Sequence, residues 1–248
     1  MPKTCLLAHS EFSLLAGVPP IPALVSHAKR LGYQSLALTD TNRMSGLILF
    51  YEECIQQGIK PILGVDLQET SDPAYHVTLL ARNDEGYGDL CELITRQQMQ
   101  GAGFSFKEHF QKPWPNLFLL STSLKALKLL CKCPNRDRLY GSLIRHSPEG
   151  RMNSREVEAF CNQEGISLVA VGDSWFLEKK EHEIHRILRA IDLNSTLSRL
   201  RPGETQPEGA WLRSPAEMES LFNDRIDALG LADSLGGNAI PNLQWENG

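Results

Sequence analysis

The sequence has few cysteines and no paired ones. Its six, Cys5, Cys54, Cys91, Cys131, Cys133 and Cys161, never form a Cys-x-x-Cys spacing, so a structural zinc ribbon or finger is excluded and the thiols read as mostly buried; Cys131-Lys132-Cys133 could chelate a soft metal or oxidise, but two such ligands on a loop usually do neither. Long hydrophobic runs are also absent. No stretch reaches the roughly 18 to 20 apolar residues that a bilayer span needs, and the apolar run after Met1-Pro2-Lys3-Thr4 is too short for a signal peptide. A cytoplasmic protein without a membrane partner is the expectation. Positive charge is in deficit as well: 25 Lys and Arg face 30 Asp and Glu, a net charge of -5. A chain of this balance should hold nucleic acid poorly on its own. Internal repeats and low-complexity tracts are missing too.

What is present is an ordinary soluble composition, 42% hydrophobic over 248 residues, enough for one large α/β barrel or two small domains. Leu6-Leu7-Ala8 is a short apolar run before a polar turn. Ile21 to Leu31 carries Leu24, Val25, Ala28 and Leu31 on one helical face, stopped by Gly32. Strands are predicted at 35–39, 60–67, 76–81, 117–121 and 167–171, and helices at 45–57, 85–98, 124–130, 153–164 and 181–191. Such alternation predicts a mainly parallel sheet with helical crossovers. Ser214-Pro215-Ala216-Glu217 combines a serine cap, a proline and a glutamate three positions on, the start of a further helix. Gly236 to Gly248 reads as a boundary rather than a packed element.

In parallel α/β folds the chemistry gathers beyond the carboxyl ends of the strands. The polar residues of this chain fall there: His9-Ser10-Glu11 after the first strand, Asp40-Thr41 after the second, Asp66 near the end of the third, and Asp173-Ser174-Trp175 after a late one. Structural roles are open for each. His9 could hold its loop, Asp40 could cap the following helix, and Asp173 could cap the turn before 178–191. His182 and His185 stand three apart on a helix, a spacing that can chelate metal.

Several segments, in order, resemble the opening of bacterial DNA polymerase III alpha subunits, which is a PHP (polymerase and histidinol phosphatase) domain. They are His9 to Gly17, Leu36-Ala37-Leu38-Thr39-Asp40, Gly46 to Tyr51, Gly58 to Gly64, His76 to Asn83 with Gly86-Tyr87, Ile184 to Leu188, and Ser214 to Met218. The resemblance covers nearly the whole chain and is weakest between Gln98 and Asn153. It implies a distorted (β/α)7 barrel filling 1–248, with a core of about 4–195 and an extension of about 196–248 leading towards polymerase domains encoded further on.

PHP domains that act as phosphoesterases bind two or three divalent cations, zinc, manganese or magnesium, through histidines and carboxylates. Clustered cations repel, so many anionic and imidazole ligands are required. Carried over residue by residue, the family's His-x-His motif falls on Leu7, Ala8 and His9. Its next aspartate falls on Ala16, the histidine of Thr-Asp-His falls on Thr41 after Asp40, and the last Asp-x-His falls on Asp173-Ser174-Trp175. Vestigial positions are therefore His9, Asp40, Asp66, His76, His146 and Asp173, and the substituted ones are Leu7, Ala16, Thr41 and Trp175. An indole offers a cation no lone pair. The resemblance so implies a non-catalytic module without a metal cofactor, whose partners are the rest of the polymerase and a separate proofreading exonuclease subunit. DNA would be met only through the full-length polymerase. The alternative is an active metal-dependent phosphoesterase, a 3′-5′ exonuclease or pyrophosphatase, using His9, Asp66, His76, His146 and Asp173, with His9, Asp66 and Asp173 as the minimal metal set.

Overall fold

A computed structural model describes residues 2–239. Seven strands, β1 (Thr4–Cys5), β2 (Ser35–Leu38), β3 (Lys60–Gln68), β4 (His76–Ala81), β5 (Leu117–Ser121), β6 (Leu139–Leu143) and β7 (Ser167–Ala170), form one sheet in chain order. The sheet curls until its edges meet: Ala8 pairs with Ser174, the His9 amide donates to the Ser174 carbonyl at 2.8 Å, and the Ser174 amide donates to Leu7. Outside it lie α1 (Ile21–Leu31), α2 (Leu47–Gln57), α3 (Asp84–Gln100), α4 (Phe106–His109), α5 (Leu124–Leu130) and α6 (Pro148–Glu164). After β7 come α7 (His182–Asp192), α8 (Pro215–Leu221) and α9 (Ile226–Asn238). The expected mixed α/β, distorted (β/α)7 barrel is what the chain forms. No helix of the described residues is long and apolar enough to cross a membrane.

Helix ends follow the sequence signals closely. Gly32 and Gly58 close α1 and α2 in the left-handed conformation, φ 95° and 68°. Ser214 and Glu217 close the reciprocal hydrogen bonds of a capping box on α8.

The mainly parallel sheet itself is as expected, with one exception, β4, which runs antiparallel to both β3 and β5. The reason is length: seven residues separate Gln68 from His76, too few for the dozen or so that a crossover takes. Four expectations need correction. A strand that the sequence pattern does not predict, β6, joins the sheet, and α6 starts at Pro148 rather than Asn153, capped by the Ser147 side chain on the Gly150 amide. The first strand is Thr4–Cys5, with Leu6–Ala8 beyond it. Lastly, Gly236 to Asn238 are the last turn of α9 rather than a boundary, with Ala239 as its C-cap; residues 240–248 of that expectation lie outside the described ones.

Because strand side chains alternate, each strand sends one set outward to the helices and one set inward. The outward set, with Leu36, Leu38, Leu63, Val65, Leu79 and Leu119, meets the helices in the larger core. The inward set, with Leu6, Ala37, Ile62, Leu80, Phe118 and Val169, fills the barrel together with Ala232 and Leu235 of α9. The helix α9 thus plugs the lower end. It is tied there by the Lys3 amide on Asp233, and by the Lys60 ammonium on the carbonyls of Gly236 and Gly237 at 2.8 Å each, a cation at a helix C-terminus. A Cβ on Gly236 would meet Thr4 Cγ2 at 2.5 Å, so only glycine lets α9 approach β1 this closely.

Candidate functional site

Climbing the barrel, the inward positions change from apolar to polar. On β3, Ile62 is followed by Gly64, Asp66 and Gln68; on β5, Leu120 leads to Thr122; on β6, Tyr140 leads to Ser142; after β7, Val171 leads to Asp173. On the reversed β4 the order inverts, so His76 and Thr78 come first and Leu80 last. His76 therefore stands at the same mouth as the carboxyl ends of its neighbours. Leu7, His9, Asp66, His76, Asp173 and Trp175 all line one cavity of about 220 Å³, with Gln68, Thr78, Thr122, Ser142, Ile144 and Gln206 completing its wall.

His9 is buried at the centre of a hydrogen-bonded chain. Its Nε2 lies 3.3 Å from Asp173 Oδ1 and its Nδ1 3.2 Å from Ser13 Oγ. Ser13 Oγ donates to Asp40 Oδ1 at 2.7 Å and accepts from the Thr41 amide. Asp40 also accepts from the Ser10 amide and hydroxyl, both at 2.7 Å. Asp40 therefore fastens the loop after β1 instead of capping α2. That loop turns tightly, and a Cβ on Gly17 would sit 1.9 Å from the Ser10 carbonyl oxygen. Since Ser13 gives its proton to Asp40, a hydrogen bond from His9 to Ser13 needs a proton on Nδ1, and one to Asp173 needs a proton on Nε2; the geometry suits imidazolium.

Electrostatics agree with that assignment. Burial works to lower the His9 pKa, but the hydrogen bond and charge of Asp173, with Asp66 and Asp40 behind, outweigh it and the net direction is upward. Burial likewise works to raise Asp173, and the bond and charge of His9, then His146 and the Trp175 indole, bring it down. Asp40 goes the other way: burial raises its pKa against the bonds from Ser13 and Ser10.

The Trp175 indole Nε1 donates to Asp173 Oδ1 at 2.9 Å, and its ring stacks on His9 with centroids 3.6 Å apart. Asp173 itself adopts φ 44°, a left-handed conformation that aspartate tolerates better than most residues. Its role is to accept from His9 and Trp175, not to cap a turn.

The remaining positions are divided. Asp66 accepts from Gln68 Nε2 at 2.8 Å and faces Thr78 across the β3–β4 pair. His76 Nε2 meets Thr122 Oγ1 at 2.7 Å. His146 is not in the cavity of His9; with Asp173 it borders a neighbouring depression of about 550 Å³, and its Nδ1 is buried without a partner. Burial lowers the His146 pKa. Thr41 and Ala16 border a third depression of about 670 Å³, and the Thr41 hydroxyl is buried unbonded. Among the described residues, no three His, Cys, Asp or Glu side chains are grouped so as to hold a metal ion.

Gln206 touches all three spaces, and sequence reasoning missed it, because a glutamine in a polar loop carries no signal. Its segment is strapped across the mouth by α7. The Gln206 amide donates to His185 Nε2 at 2.9 Å, its carbonyl meets His182 Nε2 at 3.0 Å, and Arg189 Nε donates to the Glu204 carbonyl. His185 Nδ1 in turn donates to the Ala16 carbonyl at 2.7 Å. The His182 and His185 pair thus joins loops, and burial pushes the pKa of His185 down to about 4 despite the Ala16 bond. Ser13, Gln68, Thr78, Thr122 and Ser142 were missed as well, though the period of two through Asp66 and His76 points to Gln68 and Thr78.

Comparison with known proteins places these observations. The family model described as the PHP domain matches residues 6–157. The DNA polymerase III subunit alpha of Pseudomonas aeruginosa is 31% identical across 90% of this chain and 21% of its own length. That of Vibrio cholerae is 30% identical across 90% of this chain and 22% of its own. The chain so spans about a fifth of the length of the curated relatives it matches. Among solved structures, a two-domain protein from Bacteroides vulgatus containing a predicted PHP-like metal-dependent phosphoesterase aligns with a TM-score of 0.43 and 14% identity, over 69% of this chain and 51% of that one.

Proposed function

This chain belongs to the PHP domain family, and on that premise we propose that it is the PHP module of a DNA polymerase III alpha-type polymerase whose barrel mouth has given up metal chemistry for structure. The observation that carries the reading is the engagement of His9 and Asp173 with each other, under the Trp175 ring. Two of the donors a cation cluster would need are spent, and the indole occupies the space beside them. Leu7 contributes apolar surface to the same cavity, and Asp66 is engaged by Gln68. This donor set does not fit two or three clustered cations. In this reading the barrel is a scaffold that presents its outer surface to the rest of a polymerase and to a proofreading exonuclease subunit, with DNA handled by the whole assembly in the cytoplasm.

A second reading, an active phosphoesterase using zinc, manganese or magnesium, draws on one observation: His9, Asp66, His76 and Asp173 share a cavity. Elemental analysis of protein purified without chelator, followed by phosphodiesterase and pyrophosphatase assays with added manganese, separates the two. We expect less than one metal per chain and no turnover; two metals per chain with turnover would overturn the proposal. Co-purification with the cognate exonuclease tests the docking role, and failure to associate would count against it.

A further inference from the structure

On the other face of α6 from the barrel mouth, a groove of about 550 Å³ runs between that helix and the end of α8, lined by Arg145, Arg151, Arg155, Glu158, Asn223 and Asp224 among others. We propose that it is a second site, one that binds a phosphate group.

The groove holds more guanidinium groups than acids free to neutralise them. Asp224 is bonded to Arg145, and Glu158 to Arg225, which also holds Asp227. Those acids are committed. Arg151 and Arg155, one turn apart on α6, make no ion pair or side-chain hydrogen bond among the described residues. Like charges at this spacing repel along a helix. The pKa of the buried Arg213 is lowered chiefly by burial, against the charges of Glu217 and Tyr33, and the charge of Arg151 adds to the lowering. Arg151 and Arg155 thus stand here without a paired counterion, in a chain that is acidic overall.

The floor of the groove is already arranged. The Arg145 side chain is only 14% exposed, its Nη1 is bonded to the Leu221 carbonyl and to Asp224, and its guanidinium lies 4.8 Å from the centroid of the Phe222 ring. Its Nε and Nη2 have no bond among the described residues. A held guanidinium with spare donors, flanked by two unpaired ones, matches an oxyanion that accepts several forked hydrogen bonds at once, which is what phosphate offers and a single carboxylate offers less fully. The same chemistry is presented by free phosphate and by the backbone of single-stranded nucleic acid. This site is independent of the reading of the barrel mouth.

The test uses the 248-residue chain. Sodium phosphate is titrated with NMR detection of arginine side chains, and a labelled single-stranded oligonucleotide is titrated with anisotropy, from low to physiological salt. Arg151→Ala with Arg155→Ala is the loss variant; both side chains are exposed, and unchanged circular dichroism checks its fold. We expect wild-type shifts centred on Arg145, Arg151 and Arg155, weakened about tenfold or more in the double variant. Phosphate binding that the oligonucleotide does not displace assigns a free anion. Oligonucleotide binding whose salt slope falls by about 1 for each arginine removed assigns a nucleic-acid backbone. Wild type and double variant behaving alike with both probes, including no binding by either, overturns the proposal.

Discussion

The imidazole of His9 lies flat on the indole of Trp175, their planes 13° from parallel, while the N–H of that indole bonds the carboxylate that holds the imidazole. One side chain so braces both members of an ion pair whose histidine is buried and whose aspartate is nearly so. A cation over the face of tryptophan is favourable, which adds to the case for a protonated His9.

Breaking that pair from one side should be costly. His9→Leu leaves the largely covered Asp173 with the Trp175 hydrogen bond and the charge of His146 alone, and a loss of up to about 3 kcal/mol is expected from stranding one partner of the pair. Combining His9→Leu with Asp173→Asn should recover a good part of it. Urea midpoints of the three proteins check the order.

Acid should weaken the fold through His185 before it reaches the carboxylates. Its folded pKa of about 4 lies below the usual 6.5, so between those values the unfolded chain binds the proton that the folded chain refuses. Stability therefore falls as pH falls through this window, by up to about 3 kcal/mol. His9 acts with the opposite sign: its raised pKa gives stability that is complete below about 6.5 and is lost as pH rises through the folded value. Melting curves against pH for wild type and His185→Gln test the acid limb, and the variant should lose that part of the slope.

Metal should not stabilise the native chain, whereas refilling the four substituted positions should make it do so. The variant Leu7→His, Ala16→Asp, Thr41→His, Trp175→His is expected to gain a manganese-dependent rise in Tm, worth about 2.7 kcal/mol at a hundredfold excess over Kd. Scanning calorimetry with and without manganese reads the difference. A rise in the wild type instead would contradict the proposed loss of metal chemistry.

The barrel should not survive without its plug. Ending the chain before α9 would bare the inward layer that Ala232 and Leu235 cover, and such a protein should lose cooperative unfolding. A milder test is Gly236→Ala, whose Cβ would press on Thr4; a cost of about 1 to 3 kcal/mol is expected from overpacking. Calorimetry of both shows whether α9 is part of the folding unit.

Much of the fold was legible because its signals are local. Period 3.6 gave α1 and α5 to the residue, and serine with glutamate marked the start of α8. The strand β6 escaped because Leu139-Tyr140-Gly141-Ser142-Leu143 mixes its apolar and polar faces with a glycine in the middle. The reversal of β4 could have been drawn from the short link before it, since seven residues permit a hairpin and not a crossover. For the site, the strand ends pointed to His9, Asp66 and Asp173. What they could not supply was partnership: that Asp40 binds Ser10 and Ser13 depends on a loop folding back across about thirty positions of sequence, as two of its bonds do.

The meeting of the first and last strands is the thinnest part of the wall. A two-residue β1 and the single pairing of Ala8 with Ser174 stand there, in place of the longer ladders found elsewhere. Breathing motions will start along this seam, and amide protons of His9 and Ser174 will trade with heavy water ahead of those in β3 and β4. Since His9 and Asp173 sit on opposite lips of that seam, their mutual grip also serves as its clasp.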